Sequence, residues 1–328
     1  MNILSIQPGL LFTIVGPAGV GKNALMEEAL KREFNLRQLA TATTRAPRPN
    51  EKDGRERLFL NVEQFKQMLA SGALLEWQEV HRDEFYGVPR QIVEDALKSG
   101  QHLIADIDVL GATYIRSLYP QNVILIFVEP PSLEALVSRM RERGETQADI
   151  QTRLNRVAME MTYLPLADYA VVNDDFEQAT KEFCAIIADE IMRQQEQRPT
   201  ERRYEHATQA IPIYDGEYLR HKTLPHHPTT LLLPGEIPHI AALRALEETL
   251  HIQAPIDHLL RMKLNKGSFI SPASMNVEQE DHLKRILFTY IYLLQERPQT
   301  GPDWEWRPFD ELEMAGVIRQ ALQLTPHS

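Results

Sequence analysis

The sequence predicts an α/β domain on a parallel sheet with helices on both faces, joined to a second domain of mixed α+β character. Three observations predict it. Short β-rich runs alternate with helical stretches from Leu10 to about Arg193, a glycine-rich loop links the first run to the first helix, and a polar segment near residue 200 marks a change of composition.

Taken in order, the apolar residues 10–15 read as a buried strand, and an amphipathic stretch beginning at Asn23 reads as the helix after the loop. Residues 103–107, 123–128 and 170–172 have the same β-rich, apolar character, and buried strands separated by helices run parallel. Residues 176–192 repeat apolar side chains at helical spacing (Phe176, Ala179, Phe183, Ile187, Ile191), as expected of a terminal helix packed on that sheet. Cys184 lies on or beside that face and reads as a packed thiol. Residues 194–203 contain no aliphatic side chain and one proline, which predicts a solvated linker between a domain of residues 1–193 and one of 204–328. Residues 210–214 and 218–219 then flank Asp215-Gly216, a hairpin signal. Residues 230–233, 286–294 and 304–307 add β-like runs, helices are expected near 240–250 and after Pro308, and no internal repeat is found.

A length of 328 residues suits two domains, each able to bury a core. The formal net charge of −11 argues against broad binding to nucleic acid or an acidic membrane, though a local basic pocket stays open. One cysteine rules out an internal disulfide and a cysteine-rich metal site. No apolar stretch is long enough for a membrane span and the first ten residues lack a secretory pattern, so a cytoplasmic location is expected.

The loop itself, Gly16, Pro17, Ala18, Gly19, Val20, Gly21 and Lys22, follows the pattern G-x-x-x-x-G-K. Its glycines let backbone N–H groups turn inward around a triphosphate, while Lys22 and the helix N-terminus add positive charge, so the expected ligand is a nucleotide. Asn23 stands where the pattern has Ser or Thr for Mg²⁺, and an amide oxygen binds that ion less well.

Downstream come Thr41-Ala42-Thr43-Thr44-Arg45-Ala46-Pro47-Arg48, Asp53-Gly54, Glu76-Trp77, Tyr86-Gly87 and Asp106-Ile107-Asp108. Together with the phosphate loop, in this order, they make residues 10–190 resemble guanylate kinase. The resemblance implies a P-loop kinase sheet, ATP and Mg²⁺ as cofactors, and transfer of the γ-phosphoryl group of ATP to GMP. Arg45 and Arg48, on a proline-stiffened loop, would grip the acceptor phosphate with guanidinium forks, with the Tyr86 phenol beside them and Thr41 in the same acceptor site. Glu76 and Asp108 match acidic contacts to guanine, since a carboxylate accepts from both N1–H and N2–H₂. Asp106 is the other candidate for the metal, beside Asn23. Arg139, Arg143 and Arg153, in a helical stretch around Arg-Glu-Arg-Gly, match lid arginines that close over the phosphates. Asn173 matches a position near the adenine of ATP, although Asn-Asp-Asp also suits a helix cap.

Two residues depart from the family pattern. Val88 replaces a hydroxyl residue that donates to guanine O6, and Arg57 replaces a tyrosine of the acceptor-phosphate site, adding charge. Residues 81–85 also look one residue longer than usual. Besides GMP phosphorylation, these departures motivate a kinase of another nucleotide or a sugar phosphate. A non-catalytic binding module is the third reading, and the intact phosphate loop opposes it. Small-molecule nucleotides are the expected partners, and a homodimer is left open.

In the second half, Pro234-Gly235-Glu236 and residues 241–248 resemble a degenerate Nudix box, with 211–219 resembling the first Nudix hairpin and 306–312 a late strand and helix. In that register Glu236, Arg244 and Glu248 keep the pattern, with Leu246 and Ile252. Ala245 and Thr249 stand where metal-binding glutamates belong, while Thr230 and His251 replace glycines. One metal-cluster glutamate remains, so loss of diphosphate hydrolysis is expected unless a shifted register recruits Glu247. An ordinary amphipathic helix is the plain alternative. His221, His226 and His227 lack a convincing fourth ligand and are read as loop residues.

Overall fold

The computed structural model describes residues 8–48, 51–81, 84–142, 144–147, 150, 151, 154, 157, 160, 161, 163–196, 203–224, 227–233, 236–258, 274–280 and 283–312. The chain divides into two compact units, Met1–Thr200 and Glu201–Ser328.

The N-terminal unit is built on a five-stranded parallel sheet. Its strands are β1 (Leu11–Val15), β2 (Leu36–Gln38), β7 (His102–Asp106), β8 (Val123–Glu129) and β9 (Tyr169–Val172), in the order β2-β7-β1-β8-β9. β1 is central and buried along its whole length, which explains why Leu-Phe-Thr-Ile-Val shows no polar alternation. On one face, Phe12, Ile14, Ile104, Ile126 and Val128 pack with Leu25 and Met26 of α1 (Lys22–Leu30) and Phe183 and Ile187 of α6 (Phe176–Gln195). On the other, α4 (Val109–Leu118) lies against β1 and β8, while α3 (Arg90–Ser99) lies against β7. The terminal helix runs three residues past the expected Met192, starting from the Asp175 side chain, which accepts from the Gln178 N–H at 2.8 Å. Cys184 is buried on its packed face, and burial pushes its thiol pKa up.

A second sheet was not anticipated. β3 (Thr41–Thr43), β4 (Arg57–Phe59), β5 (Leu74–His81) and β6 (Glu84–Pro89) form a mixed sheet in the order β4-β3-β6-β5. The short strands Thr-Ala-Thr and Arg-Leu-Phe carry too little apolar pattern to announce themselves. Helix α2 (Val62–Ala70) covers this sheet with Phe65, which packs with Ala42 and Leu74 and stacks on Phe85 at 5.4 Å. A capping box of Asn61 and Gln64 begins α2. The lengthened segment falls at a register irregularity between Glu79 and His81, with residues 82 and 83 outside the described set.

The expected helical stretch through the lid arginines is interrupted. α5 (Leu133–Glu142) stops before Gly144, whose φ of +77° no continuing helix adopts, so Arg139 is on α5 while Arg143 and Arg153 lie outside the described residues.

The C-terminal unit is a six-stranded mixed sheet carrying one described α-helix. β10 (Arg203–Tyr214) pairs parallel with β14 (Leu283–Leu293) and antiparallel with β11 (Glu217–His221) and β12 (Thr229–Leu231); β13 (Ser274–Glu280) and β15 (Trp304–Pro308) form the edges. Asp215 and Gly216 both have positive φ, 45° and 78°, as a two-residue hairpin with this twist requires. Helix α7 (Pro238–Leu250) buries Ala241, Ala242, Ala245 and Leu246 and lies against β10 and β12. After Pro308 a short 3-10 turn, Phe309–Glu311, replaces the start of the expected helix, and residues 313–328 lie outside the described set. Among the described residues no helix is long and apolar enough to cross a membrane.

Candidate functional site

The phosphate loop leaves the carboxyl end of β1 and enters α1 through three glycines of positive φ: Gly16 (127°), Gly19 (89°) and Gly21 (105°). A Cβ on Gly16 would lie 2.3 Å from the Val128 carbonyl oxygen, and one on Gly21 would lie 2.3 Å from Asn173 Nδ2, so sheet and loop meet too closely for a side chain. Val20 is buried and anchors the loop. Lys22 Nζ donates to the carbonyls of Gly16 (2.6 Å) and Pro17 (3.1 Å), which holds its charge across the mouth of the loop. Asn23 is exposed on the first turn of α1.

Asn173 packs against the phosphate loop. It is only 4% exposed, its Nδ2 donates to the Val20 carbonyl at 2.7 Å, and its backbone N–H donates to Glu129 at 2.9 Å. The residue therefore lies beneath the loop as a strut. Arg139 of α5 donates through Nη2 to the Asn173 carbonyl at 2.8 Å, tying the lid helix to the same point.

Asp106 ends β7 beside the loop, 3.9 Å from Lys22 Nζ. Burial pushes its pKa up, with the Lys22 and Arg57 charges opposing that shift and Asp108 adding to it. Asp106 thus lies in the field of one cation from the phosphate loop and one from the mixed sheet.

Across the mixed sheet, Thr41 and Arg57 are register partners on β3 and β4, and the Arg57 guanidinium donates to the Thr41 hydroxyl. Arg57 also sits over the Tyr86 ring, 5.8 Å from its centroid. Burial lowers its pKa from a very high starting value. The two loop arginines differ. Arg45 is held by Glu51 in a two-pronged pair, Nη1 to Oε2 at 2.7 Å and Nη2 to Oε1 at 2.5 Å, and its Cζ lies 5.9 Å from the Phe59 centroid. Arg48 is exposed and gives its backbone N–H to the same carboxylate at 2.8 Å. The Arg45 hydrogen bonds hold the Glu51 pKa down to about 2. Glu51 was missed in the sequence, where its only signal is an acid three residues after Arg48 in a segment of mixed charge.

Glu76 on β5 is 5% exposed and is the register partner of Val88 on β6, so the two side chains share a face. Its carboxyl lies against α4, where a Cβ on Gly111 would come within 2.9 Å of it. Burial, with the nearby Asp108 charge adding to it, raises the Glu76 pKa to about 8. Asp108 caps α4, its Oδ1 accepting from the Leu110 N–H at 3.0 Å, so the Asp106-Ile107-Asp108 turn sends one carboxylate toward the phosphate loop and one toward Glu76.

In the C-terminal unit Arg244 is fully engaged. It donates to both Glu236 oxygens (2.9 and 2.8 Å), to Glu248 (3.3 Å), to the Thr230 hydroxyl (2.9 Å) and to the Leu231 carbonyl (2.8 Å). Glu247 accepts from the Ala254 N–H at 3.1 Å, which closes the turn after α7. His221 belongs to β11 rather than a loop, His227 bonds the Leu219 carbonyl, and His226 lies outside the described residues, as do Pro234 and Gly235. No group of three or more His, Cys, Asp or Glu side chains among the described residues is arranged to hold a metal.

The family model for guanylate kinase matches residues 10–190. The guanylate kinase of Caldanaerobacter subterraneus subsp. tengcongensis is 37% identical over 188 residues, covering 57% of this chain and 90% of that protein. That of Thermosynechococcus vestitus is 41% identical over 180 residues, covering 55% and 93%. A crystal structure of guanylate kinase from Anaplasma phagocytophilum is similar at 31% identity and a TM-score of 0.45, covering 57% of this chain and 88% of that one.

Proposed function

We propose, from the premise that this chain belongs to the guanylate kinase family over residues 10–190, how its N-terminal unit works. It is a phosphotransferase that moves the γ-phosphoryl group of ATP to GMP, giving ADP and GDP. One observation carries the assignment of roles: Asp106 lies between Lys22 of the phosphate loop and Arg57 of the mixed sheet, so the donor cations and the acceptor cations converge at the end of one strand.

The loop amides and Lys22 bind the ATP phosphates, and Lys22 exchanges its two carbonyl partners for phosphate oxygens. Arg45, aimed by Glu51, and Arg48 take the GMP phosphate, with Tyr86 and Arg57 at its other side. Glu76 and Asp108 read the guanine edge and Thr41 is placed by Arg57. Arg139 closes the site from α5, and Arg143 and Arg153 are assigned the same task. Phosphoryl transfer asks the protein for alignment and cations rather than covalent chemistry, which is what this set provides. The donors suit Mg²⁺: Asp106 and Asn23 present hard oxygen ligands beside the loop and would hold the ion, which would supply positive charge to offset the charge of the transferring group. A cytoplasmic location suits ATP and GMP as substrates.

For the C-terminal unit we read a Nudix-like scaffold without hydrolysis, supported by the Arg244–Glu236 pair, by Ala245 and Thr249 at the ligand positions, and by Glu247 being used elsewhere. The whole reading is tested by coupled assay of ADP formation with ATP and GMP, AMP or IMP. A rate well above background with GMP supports it; equal, negligible rates with all three overturn it.

A further inference from the structure

The guanine side of the acceptor site holds a carboxyl that the fold shields from water and gives no cation. Glu76 is 5% exposed, its carboxyl reaches from β5 against α4, and no ion pair to it is found among the described residues. Its cross-strand neighbour is Val88, whose side chain cannot donate a hydrogen bond, and the charged group facing it from α4 is a second carboxylate, Asp108. A carboxyl shielded from water that gains no compensating charge and faces a second carboxylate favours its protonated form, and that carboxyl is Glu76. Asp108 accepts from the Leu110 N–H at the start of α4.

Guanine presents two donors, N1–H and N2–H₂, and only an ionised carboxylate accepts both. A neutral carboxyl offers one donor and one acceptor, which is the complement of adenine, with N1 accepting and N6–H donating. Resting on the GMP kinase reading above, we propose that guanine binding in this chain expels a proton from Glu76 to solvent, and that Val88 deepens this coupling by withholding a hydroxyl from the carboxyl. GMP recognition is then linked to pH through a single side chain, and the protonated site discriminates less sharply against adenine.

The size follows from the pKa. A group titrating at about 8 is about nine-tenths protonated at pH 7 and half protonated at pH 8. If only the ionised form accepts guanine, GMP binds about fivefold tighter at pH 8 than at pH 7. That window avoids the second ionisation of the nucleotide phosphate, at roughly pH 6.

The test is calorimetric titration of the full chain with GMP, at pH 7 and pH 8, in two buffers of different ionisation enthalpy. The expected result is release of nearly one proton per GMP at pH 7 and about half at pH 8. AMP is expected to bind without release. In Glu76→Gln the release disappears and the weakened GMP affinity no longer changes with pH. In Val88→Thr, whose hydroxyl can donate to the carboxylate, fewer protons leave per GMP bound at pH 7. GMP binding with no proton release, or with the same release in Glu76→Gln, overturns the inference while leaving the kinase reading intact. Unchanged release in Val88→Thr overturns the part given to Val88. Absence of GMP binding at either pH overturns the kinase reading, and this inference with it.

Discussion

At the scale of single residues, the proposed acceptor site depends on side chains that hold other side chains. Arg45 is useful only where Glu51 points it, through a two-pronged pair whose partners are both largely shielded. Glu51→Ala leaves the charge of Arg45 in place and removes its aim, so KM for GMP should rise by roughly tenfold with a smaller change in kcat, checked by steady-state kinetics. The same pair has a pH signature. Its folded pKa is depressed from 4.5 to about 2, so its stabilisation is present above pH 4.5 and is lost as pH falls toward 2. Wild type should therefore lose more stability than Glu51→Gln between pH 5 and pH 3, by on the order of 1–2 kcal/mol in denaturant titrations. Glu51 was not legible in the sequence because an acid near two arginines is usually a solvated surface pair. Only the backbone turn that folds residue 51 onto residue 45 distinguishes it.

At the scale of elements, the unit β1–loop–α1 was legible almost to the residue, because the spacing of Gly16, Gly19 and Gly21 has one physical use. What the spacing did not disclose is the strut beneath it. Asn173 arrives from the end of β9, far along the chain, and its amide fills the space that Gly21 leaves open. Gly21→Ala should strain both the positive φ and this contact, lowering kcat/KM for ATP by on the order of 100-fold and the melting temperature by several degrees. Asn173→Ala removes only the strut and should raise KM for ATP while leaving KM for GMP near its original value. The mixed sheet was less legible. Its residues carry clear motifs of the chain, yet Thr-Ala-Thr and Arg-Leu-Phe are three-residue strands in which only Ala42 and Leu58 pack toward Phe65, while Thr41 and Arg57 bond to each other. Pattern reading finds strands through repeated apolar alternation, and one apolar position in three displays none.

At the scale of the whole molecule, the two units rest on different kinds of internal tie. In the first, Arg116 of α4 is 1% exposed, donates to the Leu166 carbonyl at 2.6 Å and lies 3.7 Å from Asp168, whose carboxylate accepts from the Leu125 N–H. This buried set fixes the approach to β9 and hence the placement of Asn173. Arg116→Ala should cost about 3–5 kcal/mol by removing the buried cation that faces the Asp168 carboxylate, measured by denaturant unfolding. In the second unit Arg244 ties the loop before α7 to the helix itself. Arg244→Ala should increase hydrogen exchange across residues 236–250. The division into α/β and α+β halves was readable from the composition change near residue 200. The β13 strand was not, because Ser-Met-Asn-Val-Glu-Gln-Glu is an edge with few apolar residues.

The central claim is that the Gly16–Lys22 cradle grips ATP for transfer to GMP. Its most direct test is steady-state GMP phosphorylation by the full chain beside Lys22→Ala, with thermal melting to show that both are folded. The account predicts turnover in the wild-type chain and a fall of at least about 100-fold in kcat for the variant, the size expected for removing a charge aimed at the reacting phosphates. A folded Lys22→Ala chain that turns over GMP at the wild-type rate would contradict it.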